Sequence, residues 1–183
     1  MPWDKYLSKY LRHEPERLGL TLAPGGWVAI DELLAACVRN RFPVTRDELH
    51  DVVATSEKQR FAIDETGSLI RANQGHSVEV DLQLTPAEPP SKLYHGTPEQ
   101  NLDSIRRGGL IKMARHHVHL SPDAAAANKV GARRGRPVVL VIDAAAMRHA
   151  GYQFFCSANG VWLVDCVPPE YLCFPGPPPP TRS

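Results

Sequence analysis

The run LTPAEPPSKL, from Leu84 to Leu93, carries three prolines and little apolar surface, which suits a connector between two units rather than an element of either. It divides the chain into an N-terminal unit over residues 1–88 and a C-terminal unit over residues 89–174. The end, PGPPPPTRS over residues 175–183, cannot form a helix or a central strand and reads as a disordered tail; its PPPP is too short to claim as a protein-recognition ligand. Charge divides the same way. Residues 1–90 hold ten Lys and Arg against fourteen Asp and Glu, whereas residues 91–183 hold eleven against six, so the second half is the better anion binder.

The two halves differ in hydrophobic period. Trp3, Tyr6, Leu7, Tyr10 and Leu11 recur at i, i+3, i+4, i+7 and i+8, which predicts an amphipathic helix. Gly25-Gly26 turns the chain, Asp31 is placed to cap a short helix through Arg39, and Thr45-Arg46-Asp47-Glu48 is a capping box opening a helix through Val53. RFAIDETGSLIRA then alternates around Glu65-Thr66-Gly67 as a hairpin does. Three short helices followed by a hairpin resemble a winged-helix module. In the second half, apolar extended runs at KLYHG, HVHLS, PVVLVIDA, QFFCS and VWLVD alternate with short helical stretches, so the chain reads as α+β. Thr97-Pro98-Glu99-Gln100 and Ser121-Pro122-Asp123 both read as helix starts after a histidine-bearing strand, which places two helix N-termini where an anion is favoured.

Several classes are excluded. A content of 43% hydrophobic and 22% charged residues is that of an ordinary globular chain, not a disordered one. There is no apolar run of about 18 residues to span a bilayer, and Met1-Pro2-Trp3-Asp4 opens no signal segment, so a cytoplasmic protein without a membrane partner is expected. Cys37, Cys156, Cys166 and Cys173 lack metal-finger spacing and read as reduced and structural. No obligate protein partner is evident.

Three clusters carry chemistry. Arg12-His13 follows the first helix, where such a pair either caps carbonyls or faces a ligand. In ARHHVHLS, Ala114 to Ser121, an extended backbone puts Arg115, His117, His119 and Ser121 on one face. His117 and His119 suit zinc, but no third ligand stands at a recognisable spacing and Arg115 repels a cation, so no metal is expected. Tyr94-His95-Gly96-Thr97 ends a strand, where Gly96 permits close approach of a ligand and Thr97 precedes a helix; a plain strand-to-helix turn is the alternative. Gln74-Gly75-His76-Ser77 reads either as a site motif or as an interdomain turn that supports packing. Asn159-Gly160 reads as a turn or a ligand contact, and Gly131-Ala132-Arg133-Arg134-Gly135-Arg136 as a solvated basic loop or an RNA contact.

LSKYLRHEPERLGLTL, GGWVAIDELL, VVATSEKQRFAID, LIRANQGHS, LYHGT, RHHVHLS and SANGVWLV stand in an order and spacing that resemble the RNA 2′-phosphotransferase family, over about residues 5–172. The resemblance implies an N-terminal winged-helix lobe, a C-terminal ADP-ribosyltransferase-like mixed β lobe, and an active site shared by the two. It implies an Arg-His-Arg-Arg constellation at Arg12, His13, Arg60 and Arg115. It also implies NAD as a co-substrate near Tyr94, His95, Gly96, Thr97, His119, Leu120 and Ser121, with 2′-phosphorylated RNA as the partner. The activity implied is removal of an internal 2′-phosphate through an RNA 2′-phospho-ADP-ribose intermediate. The products would be 2′-hydroxyl RNA, nicotinamide and ADP-ribose 1″,2″-cyclic phosphate. Two rivals share features. An ADP-ribosyltransferase acting on terminal nucleic-acid phosphates or on protein would share the fold and the NAD pocket; those that act on protein commonly have a catalytic glutamate late in the second lobe, where this chain offers Ala158-Asn159-Gly160. A winged-helix regulator needs a basic first lobe, and this one is acidic.

Overall fold

The structure, a computed structural model, describes residues 2–56 and 58–176; the rest of the proline-rich end read above as a tail lies outside the described residues. The chain divides into two compact units. The first takes Met1–Thr85 with two later segments, Ala114–His116 and Ser157–Asn159, and the second takes Pro86–Met113, His117–Cys156 and Gly160–Ser183. Both mix helices with antiparallel strands. Among the described residues no helix is long and apolar enough to cross a membrane.

In the first unit α1 spans Trp3–Arg12 and buries Tyr6, Leu7 and Leu11 on the stripe that the periodicity marks. β1 (Trp27–Ala29), α2 (Ile30–Arg39), α3 (Arg46–Thr55), β2 (Phe61–Ile63) and β3 (Leu69–Ala72) follow, with the strands ordered β1-β3-β2. The helices close over Leu33, Leu49, Phe61 and Ile70, and Phe42 stacks on Tyr6 with ring centroids 4.2 Å apart. The capping box forms as expected: the Thr45 hydroxyl accepts from the Glu48 amide while the Glu48 carboxylate accepts from the Thr45 amide. The hairpin also forms, its turn held by the Asp64 carboxylate, which accepts from the amides of Ser68 and Leu69. Asp31 does not cap. α2 begins one residue earlier, on Ile30, and the Asp31 carboxylate pairs with Arg46. Strand β1 is three residues long and escapes a periodicity that needs more.

In the second unit β4 (Lys92–Pro98), α4 (Leu102–Gly108), β5 (Leu110–Ile111), β6 (Val118–Leu120), α5 (Ala124–Gly131), β7 (Pro137–Asp143), α6 (Ala144–His149), β8 (Phe154–Cys156), β9 (Trp162–Val164), β10 (Cys166–Val167) and β11 (Leu172–Cys173) run in order. Two three-stranded antiparallel sheets, β11-β7-β4 and β6-β9-β8, are joined by a bridge between Tyr94 and Ser121, and β5 pairs with β10. Leu93, Leu140, Ile142, Met147 and Phe154 fill the core.

Three expectations need correction here. Thr97 is no N-cap: β4 continues through Pro98, a single 3₁₀ turn follows at Glu99–Asn101, and α4 starts only at Leu102. Ser121 is no N-cap either, because Asp123 takes that place, its carboxylate accepting from the amides of Ala125 and Ala126. The ARHHVHLS segment is extended only from Val118 to Leu120; the turn at residues 113–117 keeps Arg115 off the strand and out of any face shared with His119.

Gly96 and Gly131 have a packing reason. A Cβ on Gly96 would collide with the Ala127 carbonyl oxygen, and one on Gly131 would sit 2.9 Å from the Thr97 amide nitrogen. α5 therefore lies backbone-to-backbone on β4, an approach that only paired glycines permit. Gly96→Ala must push helix and strand apart, at a cost of about 1–3 kcal/mol for overpacking; a lowered urea midpoint at unchanged m-value is the expected reading.

Candidate active site

Helix α1 ends at Arg12, and its last carbonyls have no partner within the helix. Ser77 supplies one: its amide donates to the Arg12 carbonyl at 2.8 Å, and that of Val78 donates at 3.4 Å. The Arg12 side chain turns inward. Its Nη2 donates to the Arg60 carbonyl at 3.3 Å and its guanidinium carbon lies 5.9 Å from the centre of the Phe61 ring. Its Nε has no hydrogen-bond partner, and among the described residues no carboxylate forms an ion pair with it. Burial, then the charges of Arg60 and Arg115, push its pKa down to about 10. Arg60 stands just before β2 and pairs with Asp4 at 2.6 Å. Arg115 is exposed within the Ala114–His116 segment that joins the first unit. Arg12, His13, Arg60 and Arg115 thus all belong to one unit, close enough for both other guanidiniums to act on Arg12.

His13 is exposed, with Nδ1 2.8 Å from the Ser77 hydroxyl. Its pKa lies below the ordinary histidine value because partial burial, Arg12 and Arg115 disfavour the cation, against a smaller opposing pull from Glu14. Glu14 is itself held by Lys9 at 3.3 Å and Arg17 at 3.2 Å. An open cleft of about 520 Å³ runs beside Arg60, bordered by Trp3, Asp4, Thr55, Ser56 and Lys58. Its size is in the range of small-ligand sites.

The sequence reading left QGHS undecided between site and turn, yet this segment meets the site directly. Ser77 touches both Arg12 and His13, whereas His76 is 1% exposed with neither ring nitrogen hydrogen-bonded among the described residues. His76 lies against Gly26, where a Cβ would come within 3.3 Å of Nε2. Glycine at φ +76° is what lets the chain turn there at that distance. The signal available in the sequence was a polar His-Ser pair after a glycine, in the middle of the quoted motif LIRANQGHS.

In the second unit the structure brings the other set together. Tyr94 and Ser121 exchange backbone hydrogen bonds of 2.8 Å, and His95 Nδ1–H donates to the His119 carbonyl at 3.0 Å. Leu120 and Thr97 are buried, the Thr97 hydroxyl accepting from Asn101 at 3.3 Å. The first amides of α5 are already taken by Asp123, so this helix offers an anion less than the sequence reading expected. All four cysteines are free. Among the described residues no three His, Cys, Asp or Glu side chains gather so as to hold a metal ion.

Arg12, Arg60, Arg115 and His13 thus gather in one unit, with Asp4 paired to Arg60 and no ion-paired carboxylate on Arg12 among the described residues. The model of the RNA 2′-phosphotransferase, Tpt1/KptA family matches residues 2–166, and the chain belongs to that family, as a transferase. It is similar to proteins named probable RNA 2′-phosphotransferase from several bacteria. The one from Nostoc punctiforme is 68% identical over 169 residues, covering 92% of this chain and 93% of the relative. The one from Streptomyces griseus is 58% identical over 180 residues, covering 94% and 95%. That from Burkholderia pseudomallei is 49% identical over 173 residues, covering 94% of each.

Burial, then Arg12, His116, His13 and Arg71, pushes the His76 pKa down to about 4. Above the ordinary value of about 6.5, both folded and unfolded chains hold this ring neutral. As pH falls from there toward 4, the unfolded chain binds a proton that the fold refuses, so stability falls with pH, by on the order of 3 kcal/mol in all. His13 shifts in the same direction. Urea midpoints measured at pH 7 and pH 5 should therefore differ, and His76→Gln should flatten most of that difference.

Proposed function

We propose that the protein removes an internal 2′-phosphate from RNA in an NAD-dependent transfer, yielding 2′-hydroxyl RNA, nicotinamide and ADP-ribose 1″,2″-cyclic phosphate. The family and the names of its relatives support RNA 2′-phosphate as the substrate class. The observation that carries the reading is Arg12, a guanidinium depressed to about 10 beside Arg60 and Arg115 with no ion-paired carboxylate of its own. A phosphate monoester carries about two negative charges near neutral pH and three acceptor oxygens, which guanidinium forks match in charge and geometry. Binding it relieves the repulsion among the arginines. His13 is neutral near pH 7 before the anion arrives, and the dianion favours its protonation, which equips it to hand a proton to the departing RNA 2′-oxygen.

NAD supplies, when bound, a ribose carbon that the phosphate oxygen attacks as nicotinamide leaves. What supports its place at Tyr94, His95, Gly96, Thr97, His119, Leu120 and Ser121 is that β4 and the end of β6 lie side by side there, with His95 fixed on the His119 carbonyl. Helix dipoles contribute little there, since Asp123 occupies the α5 amides and α4 starts beyond Asn101. The order α1-β1-α2-α3-β2-β3 supports a winged-helix first unit, and the two small antiparallel sheets with α5 laid on β4 support an ADP-ribosyltransferase-like second unit.

Incubation with a 2′-phosphorylated oligonucleotide, with and without NAD, followed by mass analysis of RNA and small products, tests the proposal. Loss of phosphate only with NAD, matched by the cyclic product, is expected; NAD-independent release would overturn it. In a single-turnover course, Arg115→Ala should accumulate RNA 2′-phospho-ADP-ribose, because the second step builds charge on phosphorus and loses about 10²–10³ in rate without one stabiliser. Arg115→Lys should recover only part, having charge without the fork.

A further inference from the structure

We propose that Ser77 is a positioning residue for His13: its hydroxyl holds Nδ1 of the imidazole and so dedicates Nε2 to the proton exchanged with the reacting phosphate group. The inference rests on the reading of His13 as part of the phosphate site. The QGHS segment is built to do this in three parts. Gly75 turns at φ +88°, His76 is buried beside Gly26, and Ser77 emerges at the end of α1. The Ser77 amide fixes the Arg12 carbonyl at 2.8 Å, and its hydroxyl meets His13 Nδ1 at 2.8 Å. Consecutive residues of the site, Arg12 and His13, are thus clipped by a single residue, one through its backbone and the other through its side chain.

An exposed imidazole without such a partner turns among its rotamers and between its two tautomers. The cationic ring donates Nδ1–H to the hydroxyl, and with that direction kept in the neutral ring, as the proposal requires, the contact persists while Nε2 gains and loses its proton. An aspartate in this place would hold the ring as a cation and retain the proton. The charges facing His13 work the other way: Arg12 beside it and Arg115 from the Ala114–His116 segment, with Glu14 opposing them, while the nearby His76 ring is held neutral. Serine adds orientation without reversing that balance.

The test compares wild type, Ser77→Ala and Ser77→Thr in two arms. In the first, ¹⁵N spectra of imidazole-labelled protein near pH 8 report the His13 tautomer. Wild type and Ser77→Thr should hold the Nδ1–H form, and Ser77→Ala should shift toward Nε2–H. In the second, turnover of the 2′-phosphorylated oligonucleotide with NAD should lose about tenfold to 10² in kcat in Ser77→Ala, the scale of a misoriented catalytic group. KM should change little, the pH profile should move, and Ser77→Thr should restore most of the rate; a merely structural serine would leave the pH profile in place. With an active wild type, unchanged kcat and pH profile in Ser77→Ala overturn the proposal whatever the spectra show. If the wild type shows no NAD-dependent turnover, the reading of function falls on its own, and the tautomer comparison decides Ser77: a shift supports the proposal and its absence overturns it.

Discussion

A partly buried guanidinium that lacks a carboxylate is expensive to keep, and Arg12 is kept by neutral means: a backbone carbonyl from Arg60 and the Phe61 ring that it lies over. Arg60 and Phe61 stand at the start of β2, which pairs with β3, the strand that α1 packs beside, so the helix, the hairpin and the position of Arg12 are one arrangement. A structural arginine would be satisfied by pairing with an acid, as Arg46 is by Asp31 and Arg148 by Glu88. Arg60 has such a pair in Asp4, and the cluster as a whole remains cationic within a half of the chain whose sequence is acidic. The anion site proposed here depends on local charge, not on the charge of the unit.

Much of the first unit was legible because its signals are local. The α1 stripe, the Thr45 box and the Asp64 hairpin each depend on residues within a few positions of one another, and each appears as read. Asp31 was misread because an acid at a helix start serves equally as a cap or as a partner for a distant cation, and Arg46 was there to claim it. In the second unit, the Thr97-Pro98 and Ser121-Pro122 signatures promised helices from the prolines, and these start four and two residues later. Proline suits the edge of a strand end as well as a first helical turn, and β4 needed all seven residues to pair with β7.

Motif resemblance nominated the residues of the candidate site, four of which the fold brings into one unit, while their geometry was not legible. Alternation placed Arg115 on a strand face, yet the chain turns over residues 113–117 before β6 begins. The contribution of QGHS was hidden for a related reason: a histidine with no hydrogen bonds and a serine on a neighbouring helix end both arise from long-range packing, which no periodicity encodes. Gly96 drew attention as a place for a ligand, and its near neighbour proves to be the backbone of α5. The two close-packed glycines make that part of the second unit stiff, since neither element has a side chain to yield.

The first unit is not one stretch of chain. Ala114–His116 and Ser157–Asn159 complete it from far downstream, the Asn159 side chain donating to the Lys58 carbonyl at 3.0 Å. During synthesis, which runs from the N-terminus at about 5–20 residues per second, the helices and hairpin emerge before Arg115 and longer still before Asn159. A nascent chain stopped at the proline-rich connector would hold Arg12, His13 and Arg60 while lacking the third arginine, so the cationic cluster is among the last features of its unit to be assembled.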